Sequence, residues 1–323
     1  MGDRVLVLTA AAGVGDDAAE AARTALAAAR LGPSAPRRLA ESAVEIGFSG
    51  ALPAGFDAGA GTVDVNALAA AGRRKRMLIA DMDSTIIGVE CIDELADFAG
   101  VKPQVAAITE AAMRGELDFE GALVARVALL EGLPEKALEE CYAERVRLNP
   151  GAAILVRSMR AFGAETALVS GGFDAFSARV AESAGFARHR ANRLIVRDGR
   201  LTGEVARPIL GRAAKLAALR EIAGAAGIAE GAVLAVGDGA NDLDMVMAAG
   251  LGVAYHAKAA LAERADARLA HSDLTALLAL QGIPQVEWRE LTRRAGWKGG
   301  GGLSSPASRA SGLFTVHETE RAG

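Results

Sequence analysis

Three short apolar runs in this chain, residues 77–80, 166–169 and 233–236, each stop abruptly at a cluster of aspartate, serine or glycine. A strand buried on both faces reads as such a continuous run, and parallel strands must be joined by long crossovers. The intervening segments supply them. Asn149-Pro150 reads as a helix cap followed by a residue suited to the first helical position. Helical spacing then recurs up to Phe162, over residues 173–184, near 209–222 and over 242–249, with a further apolar run at 251–254. A hairpin is expected to pivot on Asp198-Gly199. This alternation predicts an α/β fold, a doubly wound parallel sheet covered by helices. Such sheets bind ligands at the carboxyl ends of their strands, so the clusters that end the runs are where chemistry is expected.

Residues 89–147 interrupt the alternation. Their apolar clusters keep helical spacing, and Gly100, Gly115, Gly132 and Pro134 divide them into about four short helices. That predicts an all-helical insert. Ahead of the first parallel strand, strand-like runs at 5–8 and 43–48 flank an alanine-rich helix at 17–31, and a turn-rich stretch follows at 49–61. The basic run Arg73 to Arg76 reads as a solvated boundary rather than a nucleic-acid patch, because no aromatics are interleaved with it. The expected organisation is a small α/β N-terminal domain over 1–72, a core over 76–282 with a helical cap inserted at about 89–148, and a tail over 283–323. The glycine- and serine-rich composition beyond Gly299 suits a largely disordered tail.

A net charge of −4 without a basic stripe gives no reason to expect nucleic acid, though small anions need only local positive charge. Cys91 and Cys141 form no CxxC or Cys/His metal pattern and read as buried thiols of a reducing compartment. No apolar stretch approaches the roughly 20 residues that span a bilayer; the long one at 233–253 is broken by Asp238, Asp242 and Asp244. The run at 5–12 is short for a signal peptide and leads into Asp16, Asp17 and Glu20. A soluble cytoplasmic protein, free or as a homodimer, is the expectation.

Four constellations carry chemistry. Asp81-Met82-Asp83-Ser84-Thr85 follows the run 77–80, and residues i and i+2 of an extended segment point the same way. Two carboxylates facing one phosphate are useful when one is an ionised nucleophile and the other a neutral acid; a lone DxD would more often be a solvated turn. Gly237-Asp238-Gly239-Ala240-Asn241-Asp242 follows the run 233–236. Its glycines allow close backbone approach, and Asp238 and Asp242 offer hard oxygens suited to Mg²⁺, while Asn241 could simply cap a helix. Ser170-Gly171-Gly172 combines a hydroxyl, bare amides and a helix start, an anion site or an ordinary turn. Lys215 lies in a helical pattern, where a compact point charge suits phosphate and a surface lysine is the plain alternative.

In this order, the four resemble the motifs of the haloacid dehalogenase superfamily: DxDST, a strand-end serine, a lysine and GDGxND. Over about residues 77–282 the chain resembles more narrowly the phosphoserine phosphatases. The resemblance rests on DMDST with Glu90, on Met113-Arg114-Gly115 through Asp118-Phe119-Glu120 to Arg126-Val127, on the run Val169 to Phe173, and on Gly237 to Asp242. It implies hydrolysis of O-phosphoserine to serine and phosphate through an aspartyl phosphate, the last step of L-serine biosynthesis. It makes Asp81 the nucleophile and Asp83 the proton donor, and puts Mg²⁺ on Asp81, the Asp83 carbonyl and Asp238, with Asp242 supporting them. Glu90, Met113, Phe119, Arg126, Ser170, Gly171, Lys215 and Asn241 fall on substrate-binding positions. Glu90 would hold the substrate ammonium and Arg126 its carboxylate in a bidentate pair. A first-turn acid, a solvated arginine and core packing of Met113 and Phe119 are the plain readings of the same residues. Bacterial relatives often carry an amino-acid-binding ACT module where residues 1–72 lie. Two rivals remain at this stage: a phosphatase of the same superfamily for another small ester, and a non-enzymatic amino-acid-binding regulator.

Overall fold

The computed structural model describes residues 2–113 and 116–294. The chain opens with β1 (Arg4–Thr9), α1 (Asp16–Ala28), β2 (Arg37–Ala40), β3 (Ala43–Phe48) and β4 (Asp64–Ala69). These strands form an antiparallel sheet in the order β2-β3-β1-β4, backed by α1 through Leu6, Leu8, Leu26, Ile46 and Phe48. Two of its strands were not legible as strands. The first two residues of β2 are exposed arginines, and the buried face of β4 begins with Asp64 and Asn66, so neither shows apolar alternation.

The second sheet starts at β5 (Met77–Ala80). Four short helices follow: α2 (Cys91–Phe98), α3 (Lys102–Met113), α4 (Phe119–Ala128) and α5 (Lys136–Arg145). The chain returns through α6 (Ala152–Ala161), β6 (Glu165–Phe173), α7 (Asp174–Ala184), β7 (Arg188–Asn192) and a hairpin of β8 (Leu194–Arg197) and β9 (Arg200–Val205). It closes with α8 (Arg212–Ala225), β10 (Val233–Gly237), α9 (Leu243–Ala248), β11 (Leu251–Tyr255), α10 (Ala259–Ala262), β12 (Ala267–Leu269), α11 (Ala276–Leu280) and α12 (Gln285–Arg294).

The order β12-β11-β10-β5-β6-β7 is parallel throughout, and the two central strands, β5 and β10, carry the two aspartate motifs at adjacent carboxyl ends. Strand alternation divides the apolar side chains between two layers. Leu78, Ala80, Leu168, Leu234 and Val236 enter one core with α6, α7 and α11, and Met77, Ile79, Val169, Val233 and Ala235 enter the other with α8 and α9. The doubly wound α/β fold with its helical insert is therefore as expected.

Local differences have local causes. Pro150 does not open α6, which begins at Ala152 after Gly151 in the left-handed region at φ +82°. A Cβ on Gly151 would stand 2.7 Å from the Thr275 amide nitrogen. Asn149 instead donates from Nδ2 to the Thr85 carbonyl at 2.8 Å, tying the return of the insert to the segment after β5. Strand β6 also runs through Ser170-Gly171-Gly172 to Phe173 rather than stopping at Val169. The segment expected as tail begins with α12, which buries Trp288 and Thr292 and packs on α6. One aromatic on a strongly polar helix was too weak a periodic signal to reveal it. The remainder of the expected tail, 295–323, lies outside the described residues.

Candidate active site

Strand β5 ends at Ala80; the backbone is still extended at Asp81, and the chain then winds into a wide turn over Met82–Ile86, closed by the Ile87 amide on the Met82 carbonyl at 3.0 Å. Within the turn Asp83 is extended and Ser84 adopts φ +54°, an uncommon conformation for a residue with a Cβ. The turn aims the two carboxylates at one cavity with different partners. Asp81 Oδ1 accepts the Met82 amide at 2.7 Å and faces Lys215 Nζ at 2.7 Å. Asp83 Oδ1 accepts the Cys91 amide at the start of α2 (3.1 Å), and its Oδ2 accepts the Ser170 hydroxyl (3.3 Å).

Lys215, on α8, is completely buried and shared between Asp81 and Asp242, whose Oδ1 lies 2.6 Å away. The other oxygen of Asp242 accepts the amides of Asp238 (3.2 Å) and Gly239 (3.1 Å). Asp242 thus holds the lysine with one oxygen and shapes the loop after β10 with the other. Thr85 Oγ1 reaches Asp238 Oδ1 at 3.3 Å, joining the two motifs directly.

These contacts set the charge. Burial pushes the Asp81 carboxyl well above the usual range; the charge of Asp242 adds to this and Lys215 opposes it. Burial and then Glu90 push Asp83 up to about 6, and burial, Asp242 and Glu90 push Asp238 up to about 7. Burial disfavours the Lys215 ammonium, but the Coulombic pull of Asp81 and Asp242 outweighs it and holds the lysine protonated. Carboxylate oxygens of Asp81, Asp238 and Asp242 lie within 4.8 Å of one another, all buried. Both oxygens of Asp242 are committed to Lys215 and the two amides, which leaves Asp81 and Asp238 to face an ion. Crowded, buried oxygen donors of this kind fit a hard divalent cation, which would relieve their mutual repulsion.

A cavity of about 600 Å³ opens between the sheet and the helical insert. Of the residues singled out from sequence, Asp81, Asp83, Glu90, Phe119, Arg126, Gly171, Asp238 and Asn241 line it. Ser170, Lys215 and Asp242 stand fully buried behind its wall. The side chain of Met113 lies outside the described residues. Glu90 accepts the Ser84 hydroxyl at 2.6 Å. Arg126 turns its Nε to the Ala122 carbonyl of its own helix at 3.2 Å, and its guanidinium has no ion pair among the described residues. Phe119 wedges the insert against the sheet, since a Cβ on Gly171 would stand 2.9 Å from its ring and one on Gly211 3.2 Å. The Gly172 amide, expected to be bare, donates to Ser170 Oγ at 2.8 Å.

The sequence reading missed several participants. Asp93, Thr109, Arg212 and Lys258 also line the cavity, and Asn192 clamps its floor by bridging the Gly171 and Leu210 carbonyls and the Leu210 amide. None belongs to a compact motif. A signal was available only for Asp93, one helical turn from Glu90 at the start of α2.

A parallel sheet with an aspartate pair at one strand end, a glycine-aspartate loop at the next and a buried lysine between them is the arrangement of the haloacid dehalogenase-like hydrolases, and the chain belongs to that family, whose model matches residues 78–247. Several of its curated relatives are phosphoserine phosphatases by name. The enzyme of that name from Albidiferax ferrireducens is 48% identical over 210 residues, covering 64% of this chain and 89% of that one. Phosphoserine phosphatase SerB2 of Mycobacterium tuberculosis is 46% identical over 217 residues, 67% of this chain and 53% of its own length, so the chain spans about half of that relative. The structure of a probable phosphoserine phosphatase from Vibrio cholerae superposes with a TM-score of 0.73 at 30% identity, covering 89% of each chain.

Proposed function

We propose that the chain hydrolyses O-phospho-L-serine to L-serine and phosphate through a phosphoryl-enzyme on Asp81, as the last step of serine biosynthesis in the cytoplasm. The observation that carries this reading is that one cavity holds both the Asp81/Asp83 pair and, beside a glutamate, an arginine with no ion pair among the described residues. The first pair serves a phosphate ester; the second serves an amino-acid end, with Glu90 for the ammonium and Arg126 for the carboxylate.

Asp81 attacks phosphorus, and Lys215 beside it offsets the charge that the incoming phosphate would otherwise meet. Burial and the neighbouring Glu90 favour the proton on Asp83, which suits it to protonate the departing serine oxygen. Once ionised, Asp83 can take a proton from the water that hydrolyses the aspartyl phosphate. Ser170 holds the Asp83 carboxylate, and Asp242 holds Lys215 and the loop of Asp238. The residues that would hold Mg²⁺ are Asp81, Asp238 and the Asp83 carbonyl; the ion would supply Lewis-acid neutralisation of phosphate charge. Phe119, docked on Gly171, excludes water from the ester. For residues 1–72, the antiparallel sheet with one helix supports the regulatory, ACT-like reading, which stays part of the proposal, as do the domain limits 1–72 and 76–282.

The test is a panel of phosphoserine, phosphothreonine, glycerol phosphate and an aryl phosphate, with Mg²⁺ and with a chelator. Phosphoserine is expected to show the highest kcat/KM, and chelation to abolish turnover reversibly. A tenfold or greater preference for another ester, or full activity in chelator, overturns the reading.

A further inference from the structure

The cavity contains more acid than base. Asp81, Asp83, Glu90, Asp93 and Asp238 line it, yet a phosphomonoester arrives as a dianion carrying, in the amino-acid case, a carboxylate as well. Cations that are already paired can offset charge where they stand but cannot reach out to meet it at the mouth of the cavity. Lys215 is enclosed between Asp81 and Asp242 behind the wall, and Arg212 at the rim is engaged in a two-pronged pair with Asp244. Two lining cations remain without an ion pair among the described residues: Arg126 on the insert and Lys258 on the core. Their number matches the two anionic ends of the substrate.

The backbone delivers Lys258 with some effort. The segment after β11 passes through His256 at φ +45°, a conformation that disfavours any residue with a Cβ. It is held there on several sides. The His256 amide donates to the Leu269 carbonyl at 2.7 Å, its Nε2 lies 3.3 Å from the Ser272 carbonyl, and its ring stands edge-on to Tyr255 with centroids 4.4 Å apart. Two residues later the Lys258 amide donates to the Asp238 carbonyl at 2.9 Å, while its exposed side chain lines the cavity at the Asp238 end. Strain maintained by surrounding contacts at a site is an indication of use.

We infer that Lys258 is a phosphate-binding residue, the cation that receives the phosphate end of the substrate at the mouth of the cavity while Arg126 receives its carboxylate. This rests on the phosphatase reading above and adds to it a specificity element outside the four sequence motifs. Lysine suits the task as a compact, mobile point charge that can follow a phosphate inward and release it as product. Its long reach also lets it attract the dianion past the surrounding carboxylates.

The test compares Lys258→Ala, Lys258→Gln and Lys258→Arg with the unaltered full chain in Mg²⁺. Steady-state kinetics on phosphoserine at about 10 and about 150 mM ionic strength are combined with calorimetric titration of inorganic phosphate. The Ala and Gln variants are expected to raise both KM and the phosphate Kd about tenfold, with kcat within about threefold. Their kcat/KM should depend less steeply on salt, and Arg should restore both constants to within about threefold. A KM and phosphate Kd within about twofold of the unaltered chain in both neutral variants overturns the inference. So does a loss confined to kcat, because Lys258 would then act only through the Asp238 loop. If the unaltered chain fails to hydrolyse phosphoserine, the phosphoserine reading fails by itself, and phosphate calorimetry still decides the role of Lys258. Thermal melts identify a variant that misfolds, in which case the Gln and Arg pair carries the comparison.

Discussion

Arg126 sits half-buried near Asp93, Glu90 and Asp83, its guanidinium charge disfavoured by burial and supported by those acids, without a direct ion pair among the described residues. An arginine held out of water in this way is prepared for a ligand carboxylate. Replacing it by alanine strands one side of a desolvated charge pair, at a cost on the order of 2 to 5 kcal/mol. At about 1.4 kcal/mol per tenfold, Arg126→Ala is expected to lower kcat/KM for phosphoserine by about 30-fold to several thousandfold. Turnover of an aryl phosphate should change far less, because Asp81, Asp83 and Lys215 are untouched. Equal losses on both substrates would show that Arg126 serves the fold or the shared chemistry. Lys215 illustrates what sequence could not reveal at this scale: its helical pattern suited a charge on phosphate and a surface lysine alike, whereas the side chain is fully enclosed between two carboxylates that are distant in the chain.

Among the elements that build the site, the end of β10 leaves no room for a side chain. A Cβ on Gly237 would come within 2.4 Å of Asp242 Cγ and Oδ2. The Asp242 side chain cannot yield, since its oxygens hold Lys215 and the amides of Asp238 and Gly239. Gly237→Ala should therefore displace Asp242 and with it the lysine and the Asp238 loop. We expect kcat/KM to fall by about 100-fold or more, and stability by about 1 to 3 kcal/mol, as read from steady-state kinetics and urea titration. Near-normal activity in this variant would mean that Asp242 does not position the site. The Gly-Asp-Gly pattern was readable as a close-approach loop; that Asp242 is the group that approaches was not, because its side chain is turned toward Gly237 by Lys215 of α8, 27 residues away in the chain.

The whole molecule is joined by an interface of side chains and backbone rather than by apolar burial alone. Strands β4 and β12 are edges of different sheets, and Asp64 and Asn66 of β4 bond the backbone of β12 and the residues after it. Asn66 pairs with both the carbonyl and the amide of Arg268 at 3.0 and 2.8 Å. Asp64 accepts the amides of Ala270 and His271 and the hydroxyl of Ser272, the last at 2.6 Å. Asp64→Ala would take this acceptor from the two half-buried amides and leave the buried Ser272 hydroxyl to Thr9 alone, and we expect a loss of about 1 to 3 kcal/mol in urea unfolding with kcat for phosphoserine little changed. A loss below about 1 kcal/mol would show that water replaces the carboxylate and that the interface is not specific. The alternation of apolar runs and helical spacing determined the parallel sheet, its inserted helices and the strand ends where Asp81 and Asp238 stand, because period and punctuation are local properties of the chain. Tertiary structure alone decided that Lys215 is buried, that Arg212 is engaged by Asp244, and that polar β4 is a strand. Each of these depends on a partner more than 20 residues away, and contacts at that distance leave no periodic trace in a sequence.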